Sequence, residues 1–364
     1  MRITKLRLFN YRNLRNPEIA PGFGITLFSG RNGQGKTNIL EAIYFLAYGR
    51  SFRTATPADC VQHGQTACRV EGIVEKGSLT RDIAVTINGA DKKLWLMGKP
   101  SPLDEFVGNL HLLAFTHEHL GVVRGGPAER RAFLDRAMVS LYPGHVGKLA
   151  AYSRALKQRN NVLSSVRDGK AAFNAALLDS WDEALVVPGA GILANRLRYV
   201  EKMKKELPNG LFGTEELKMR YLSTVGTDEG DISFIEEIFR KKLRSERSRD
   251  QRTGYTSIGP HRDDLKLYVD GKSLSDFGSS GQQRSALLSL YFSQMEIHFG
   301  FHGFYPVFLV DDAEAELDEE RLRVFLHYLA GRTQTILTSV RDFLLPSMSG
   351  DIVRFEVRDG AVFS

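Results

Sequence analysis

The run Gly30-Arg31-Asn32-Gly33-Gln34-Gly35-Lys36-Thr37 constrains this chain more than any other feature. It fits the pattern G-x4-G-K-[ST] in full. Glycines let the backbone curl so that successive N–H groups point inward at an anion, and a following helix adds the positive end of its dipole. In such a loop Lys36 reaches the outer phosphates of a nucleotide and the Thr37 hydroxyl ligates Mg²⁺. Asn38 extends the candidate ATP-binding set. The flanks agree: Ile25-Thr-Leu-Phe28 is an apolar strand that stops at Ser29-Gly30, and Ile39, Leu40, Ile43 and Leu46 give the next helix an apolar face. A strand–loop–helix unit of this kind belongs to an α/β fold that holds the phosphates of a nucleotide together with Mg²⁺.

A metal-bound triphosphate needs a second carboxylate, and Phe308-Leu-Val-Asp311-Asp312 ends an apolar strand with one. Asp311 is the expected metal ligand beside Thr37. Asp312 is placed to orient or activate the attacking water. The competing reading is an acidic strand-end loop, since Asp311 to Glu320 holds seven acidic residues in ten. The two motifs stand about 275 residues apart. Small kinases and GTPases close that gap in far fewer residues, so something is inserted. Within the gap, Phe277-Gly-Ser279-Ser280-Gly281-Gln282-Gln283-Arg284 precedes a helical pattern of Ala286, Leu287, Leu290 and Tyr291. It resembles the signature loop of ABC-type ATPases, in which a serine hydroxyl and glycine amides at a helix N-terminus take the γ-phosphate held by another subunit. A turn that merely caps a helix reads the same; the placement about 25 residues before Asp311 favours the signature. Glu316-Leu-Asp318 resembles the D-loop of such an interface. ATP sandwiched between two copies, and hence an ATP-dependent homodimer, is the expectation. Thr335-Ile-Leu-Thr338-Ser339 holds no switch histidine, and Asp312 is one methylene shorter than the usual glutamate. Slow hydrolysis, used as a timer, follows.

Residues 68–97 read as a strand meander with an Asn88-Gly89 turn. Strand patterns return at 266–269, 307–310, 335–338 and 352–357. Between them, helical patterns cover 127–141, 146–168, 172–205 and 232–249. They are punctuated by Pro143-Gly144, Asp168-Gly169 and Pro208-Asn-Gly210, and Pro188-Gly189 is a candidate break in the third. The expected organisation is a discontinuous head, residues 1–120 and 251–364, with an inserted helical arm, 121–250. No apolar run reaches the roughly 18–20 residues that span a bilayer, so no membrane partner is expected. The start of the chain lacks the apolar core of a signal peptide. Cys60 and Cys68 are too few for a disulfide framework, which suits a reducing cytoplasm.

The net charge of +6 has a location. Residues 121–250 hold 23 Lys+Arg and 17 Asp+Glu, whereas the other 234 residues hold 26 of each. Such an excess suits a polyanion. At helical spacing Arg240, Arg244 and Arg247 share a side, which fits either a solvated face or contacts to DNA phosphates. Arg130 and Arg131 fit either DNA contacts or a helix face paired with Asp135. His261 reads as a satisfied loop histidine. No His/Cys cluster with metal spacing accompanies it, so no zinc is expected.

With its motifs in this order the chain resembles the RecF family, bacterial recombination mediators related to the SMC proteins. Leu8-Phe-Asn-Tyr-Arg-Asn-Leu14 is similar to the family's N-terminal strand and turn, and Asn38-Ile-Leu-Glu-Ala-Ile43 to its helix after the P-loop. Gly125-Gly-Pro-Ala-Glu-Arg130-Arg131-Ala-Phe-Leu-Asp135 and Gly259-Pro-His-Arg-Asp-Asp264 resemble segments specific to the family. The resemblance covers nearly the whole chain. It implies an α/β fold: an ABC/SMC-like P-loop ATPase head with an inserted, mostly helical arm domain. It further implies that ATP closes a dimer around double-stranded DNA, also at single-strand/double-strand junctions and gaps. With RecO and RecR such a protein helps load RecA in gap repair, replication restart and the SOS response, as a cytoplasmic, nucleoid-associated protein. It also implies a nucleotide contact by Arg12. No lid glutamine is found in 112–119. The alternative is the ATP-binding subunit of an ABC transporter, against which the missing switch histidine and the long arm weigh. An arm of about 130 residues without sustained heptads is too short for a long coiled-coil chromosome organiser.

Overall fold

The computed structural model describes residues 1–142, 144–208, 216–340 and 352–364; the expected turns at Pro143 and Asn209-Gly210 lie outside these. The chain divides into two compact units, Met1–His119 with Met295–Ser364, and Leu120–Gln294.

In the first unit, the strand Arg2–Phe9 pairs on one side with Glu18–Ile19 and on the other with Ala67–Lys76. Antiparallel partners Leu79–Asn88, Asp91–Leu96 and Lys99–Ser101 complete that sheet. Ile3, Leu6 and Leu8 are all buried although strict alternation would not put Ile3 and Leu6 on one face. A register shift between Ile3 and Lys5 resets the phase, as a bulge does. The expected Asn-Gly turn is present: Asn88 pairs with Asp91 across Gly89, whose φ is 57°.

A second sheet runs in the order Ala361–Phe363, Ile352–Arg358, Ile25–Ser29, Thr335–Ser339, Val307–Val310, Leu112–Phe115. It is parallel except for the hairpin of the first two strands. The helix Lys36–Tyr48 follows the strand Ile25–Ser29. Ile39 through Ala47 are all buried, in one core with Leu8, Val70 and Val85 of the antiparallel sheet and Leu309 and Ile336 of the parallel one. The single apolar face read from the sequence is therefore too narrow. A helix covered on both sides by sheet is apolar nearly all round.

The second unit holds the helices Pro127–Val139, His145–Arg167, Ala175–Lys205, Ile232–Ser245 and Arg247–Thr253. Pro188 does not split the third of these. Instead Gly189 lets two neighbours close in: a Cβ there would sit 2.7 Å from Phe239 and 2.9 Å from Tyr152. The fourth helical pattern, in contrast, is interrupted at Glu246. The unit also contains a sheet the sequence did not announce. Leu217–Leu222 pairs antiparallel with Asp264–Val269, which pairs in turn with Lys272–Ser273. This pairing explains why the unit runs to Gln294 rather than ending near 250: the strand assigned to the head is hydrogen-bonded into the arm. Among the described residues no helix is long and apolar enough to cross a membrane.

Candidate nucleotide site

The P-loop leaves its strand through two glycines that no other residue replaces. Gly30 has φ 148°, and a Cβ would meet the Val357 carbonyl oxygen at 2.3 Å. Gly35 has φ 114°, and a Cβ would lie 2.7 Å from Leu14. Gln34 fastens the loop to the turn at 359–360: its side-chain oxygen accepts from the Asp359 N–H (2.5 Å) and its carbonyl from the Gly360 N–H (3.1 Å). That role leaves it no lid function. Below the loop, Asn13 donates to the Gly33 carbonyl (3.2 Å), Asn38 donates to Asn13 (2.7 Å), and Arg53 donates to Asn38 (2.7 Å). Asn38 is thus tied up in supporting the loop, while Arg31 and Asn32 are exposed at its tip.

Lys36 Nζ folds back onto the carbonyls of Gly30 (2.5 Å) and Arg31 (3.0 Å). Burial lowers its pKa, and Asp312, Asp311 and Glu314 oppose that shift. Thr37 Oγ1 donates to Asp311 Oδ1 at 2.9 Å, so the two expected metal ligands meet across 274 residues of sequence. Thr338 completes the group. Its hydroxyl donates to the same Asp311 oxygen (2.8 Å) and accepts from the Asp312 N–H (2.8 Å). Burial raises the Asp311 pKa; the hydrogen bonds from Thr338 and Thr37 pull it back. Asp312 sits at φ 46°, a conformation rare outside glycine and asparagine, directly after the metal-ligand candidate. Lys36, Thr37, Asp312 and Thr338 line a cavity of about 930 Å³. That is near the upper end for small-molecule sites and spacious enough for a nucleotide with its ion and water.

Sequence reasoning misses Thr338, since in the sequence 335–339 stands out only for its missing histidine. A hydroxyl at the end of the strand beside the Asp311 strand was the available signal. Arg12 lines the cavity but is not free to reach far into it. Its Nε and Nη2 donate to the two carboxylate oxygens of fully buried Glu41 (2.9 and 2.7 Å), and its Nη1 to the Asp59 carbonyl (2.7 Å).

The other motif residues separate by unit. Asp318 caps the helix Glu319–Leu329, accepting from the Arg321 N–H at 2.9 Å; the side chain of Glu316 lies outside the described residues. In the second unit Ser279 and Gln282 form a reciprocal cap at the start of the helix Ser280–His302: the Gln282 N–H donates to Ser279 Oγ (3.2 Å) and the Ser279 N–H to Gln282 Oε1 (2.8 Å). Ser279 and Ser280 are exposed there, Gly281 half-buried.

Most of the DNA candidates are committed elsewhere. Arg130 is buried and forms a bidentate pair with Asp264 (2.6 and 2.9 Å), not with Asp135. Arg131 donates to the Asp263 carbonyl (2.7 Å). Asp135 pairs instead with buried Arg196 (2.9 and 2.8 Å). Arg240 pairs with Glu183 and Glu236, and Arg247 with Asp179 and Asp182. Their guanidinium groups neutralise the protein's own carboxylates, so a shared helix side does not make them a phosphate track. Arg244 is exposed. His261 is satisfied, as expected: it bonds Tyr152 Oη (2.7 Å) and the Thr256 carbonyl (3.1 Å), and burial pushes its pKa down to about 4. The two segments specific to the family resemblance therefore bind each other, through Arg130 with Asp264 and Arg131 with Asp263.

Away from His261, in the first unit, ring nitrogens of His111, His298 and His302 lie within 4.8 Å of one another, a group that sequence spacing does not bring together.

Comparison with known proteins agrees with this geometry. The family model for the RecF/RecN/SMC N terminal domain matches residues 2–361. The DNA replication and repair protein RecF of Halothermothrix orenii is 35% identical over 373 residues, covering 100% of this chain and 98% of that protein. That of Desulforudis audaxviator is 36% identical over 343 residues, covering 93% and 94%. A structure of the recombination mediator protein RecF with ATPrS in the RecFOR pathway superposes with a TM-score of 0.91 at 29% identity, covering 100% of this chain and 97% of that one. Its ATP-bound counterpart gives 0.87 at 30%, covering 99% and 98%. An Smc head bound to the C-terminal winged-helix domain of ScpA shares the fold, with a TM-score of 0.53 at 16% identity over 100% of this chain and 97% of that one.

Proposed function

The chain belongs to the RecF family of DNA replication and repair proteins, and from that premise we propose that it is an ATP-dependent DNA clamp. In this reading ATP joins two copies on double-stranded DNA and at single-strand/double-strand junctions. The dimer acts with RecO and RecR to help load RecA at gaps, and slow hydrolysis times its release. The family membership removes the ground for the transporter alternative.

The observation that carries the reading is that Thr37 and Thr338, which line one cavity with Lys36, both bond the carboxylate of Asp311. The hydroxyl and carboxylate fit Mg²⁺, which takes one or two protein oxygens and leaves its other positions to phosphates and water. Thr37 and Asp311 would hold the ion, which when bound neutralises charge on the phosphates. Lys36 leaves the carbonyls of Gly30 and Arg31 for the phosphates, a better partner for an ammonium than two neutral oxygens. Asp312 orients the water. Its backbone is pinned by Thr338, whose hydroxyl is already used twice and so is not free to hold the water as a histidine would. That supports slow turnover. The exposed Ser279 and Ser280 at a helix N-terminus support a role for the signature loop toward a second copy's γ-phosphate. The pathway named for the solved relatives supports RecO and RecR as partners. For DNA, the candidates narrow to exposed bases such as Arg244, Arg154 and Lys157.

Sedimentation with ATP and Mg²⁺, with and without duplex DNA, tests the proposal. Wild type should shift to a dimer. Lys36→Arg should not, and Ser279→Arg should bind ATP yet stay monomeric. A wild type that remains monomeric with ATP, and whose DNA affinity ignores nucleotide, sinks the clamp. DNA affinity should also fall steeply with salt, and less steeply in Arg154→Ala/Arg244→Ala.

A further inference from the structure

At the end opposite the signature loop, the helix Ser280–His302 carries two histidines one turn apart, His298 and His302. Residues four apart share a helix face, the spacing that lets two imidazoles grip one ion. His111 stands opposite. It immediately precedes the strand Leu112–Phe115, and its carbonyl accepts from the Val307 N–H (2.9 Å) at the start of the Asp311 strand. The three rings pack edge-on or tilted with centroids 4.6 to 4.8 Å apart. His111 and His298 are buried and His302 is half-buried at the rim.

The hydrogen bonds fix which nitrogen of His298 is available. Its Nδ1 bonds the Phe304 carbonyl at 2.9 Å, and a carbonyl only accepts, so Nδ1 carries the proton and Nε2 a lone pair. A backbone carbonyl holding the far nitrogen is the outer-shell arrangement of metal-bound histidines. That Nε2 stands 2.6 Å from His111 Nδ1. Burial, with the neighbouring rings, pushes both pKa values down to about 3, so both rings are neutral at physiological pH, the form that ligates.

We propose that His111, His298 and His302 form a binding site for a late first-row divalent ion, Zn²⁺ foremost, that staples the end of the signature helix to the strand beside Asp311. Nitrogens around a tetrahedral ion stand roughly 3.3 Å apart, given bonds of about 2.0–2.1 Å. His111 and His298 must therefore open slightly and His302 must close in when the ion binds. His111 passes to its other tautomer, with the proton on Nε2, and no proton is released. A fourth position is left to water or an anion. Lys76 lies close enough to disfavour charge there, which argues for moderate affinity and an anionic fourth ligand.

The test is a Co²⁺ titration of the untagged full-length chain, stripped with EDTA and free of nucleotide, followed by Zn²⁺ displacement. A saturable visible spectrum at one ion per chain is expected. His302→Gln should weaken binding at least about tenfold, the low end of what losing even an outer-shell partner costs. Asp311→Asn should leave it intact. No saturable spectrum, an unchanged affinity in His302→Gln, or loss in Asp311→Asn each overturns the site, the last by placing the ion at the nucleotide cavity. X-ray absorption on zinc-loaded wild type needs no variant: three imidazoles support the proposal, and fewer overturn it.

Discussion

Two groups of polar side chains, one in each unit, have opposite designs. Around the P-loop, Lys36 rests on backbone carbonyls and Thr37 and Thr338 on Asp311, all provisionally, beside a large cavity that Lys36, Thr37 and Thr338 line. Every one of those bonds can be exchanged for a bond to a phosphate, an ion or water. In the second unit, Arg159 is fully buried and donates to Asp182 (2.6 Å), Asp250 (2.7 Å) and Thr256 (2.9 Å). Arg196 and Arg130 are buried on Asp135 and Asp264 in the same manner. This network is closed except at Arg159 Nη2, which has no hydrogen-bond partner: its charges otherwise satisfy each other and join helices and the small sheet. The generic motif in the chain is left open to a ligand, and the segments that mark the family do architecture.

Arg159→Ala should show the largest effect, because removing one member of a buried pair strands the carboxylates of Asp182 and Asp250. A loss of about 3–5 kcal/mol is expected in denaturant unfolding of the second unit, with ATP binding kept. If stability is unchanged, the network is not closed. Asp311→Asn should do the reverse. Hydrolysis should fall about a hundredfold or more, as for loss of a preorganised transition-state contact, with the melting temperature almost unmoved. Equal hydrolysis in Asp311→Asn would place the metal ligand elsewhere.

A smaller effect belongs to Asp135. Burial alone would raise its pKa, but Arg196 and His145 overcome that and bring it down to about 2. A depressed carboxylate contributes stability that is full above its unfolded value near 3.9 and is lost as pH falls through about 2. Asp135→Asn should therefore cost about 2–3 kcal/mol at neutral pH and nothing below pH 2. A cost that is the same at both pH values would mean that Asp135 acts by packing alone.

The same contrast explains what the sequence could and could not reveal. A phosphate loop needs contiguous residues, so Gly30 to Thr37 can be read directly, and Asp311 follows from the strand before it. The helices of the arm could be read from their punctuation. Leu217–Leu222 could not: its buried Met219 and Tyr221 make only a short alternation, and its partner strand begins at Asp264. Charge counts placed the excess in the arm correctly but could not tell solvated arginines from bonded ones. Arg130 finds its carboxylate 134 residues away and Arg247 finds Asp182 65 residues away, distances at which no helical spacing applies.

Thr338 is the sharpest place to probe the open site, because it touches both acids with one hydroxyl. Thr338→Val keeps the shape and removes the donor to Asp311 and the acceptor for the Asp312 N–H. Each of the two lost bonds is worth about 0.5–1.5 kcal/mol, so turnover should drop roughly fivefold to a hundredfold. The pH dependence carries the mechanism. Burial already raises the Asp311 pKa, and the Thr338 hydroxyl is one of the two bonds that restrain it. Without that bond the carboxylate protonates at higher pH still, and a protonated Asp311 is no ligand for Mg²⁺. The acid limb of Mg²⁺-dependent ATP binding should therefore move upward in Thr338→Val relative to wild type. An acid limb that stays in place while turnover falls would show that Thr338 acts through the backbone of Asp312 rather than through the charge on Asp311.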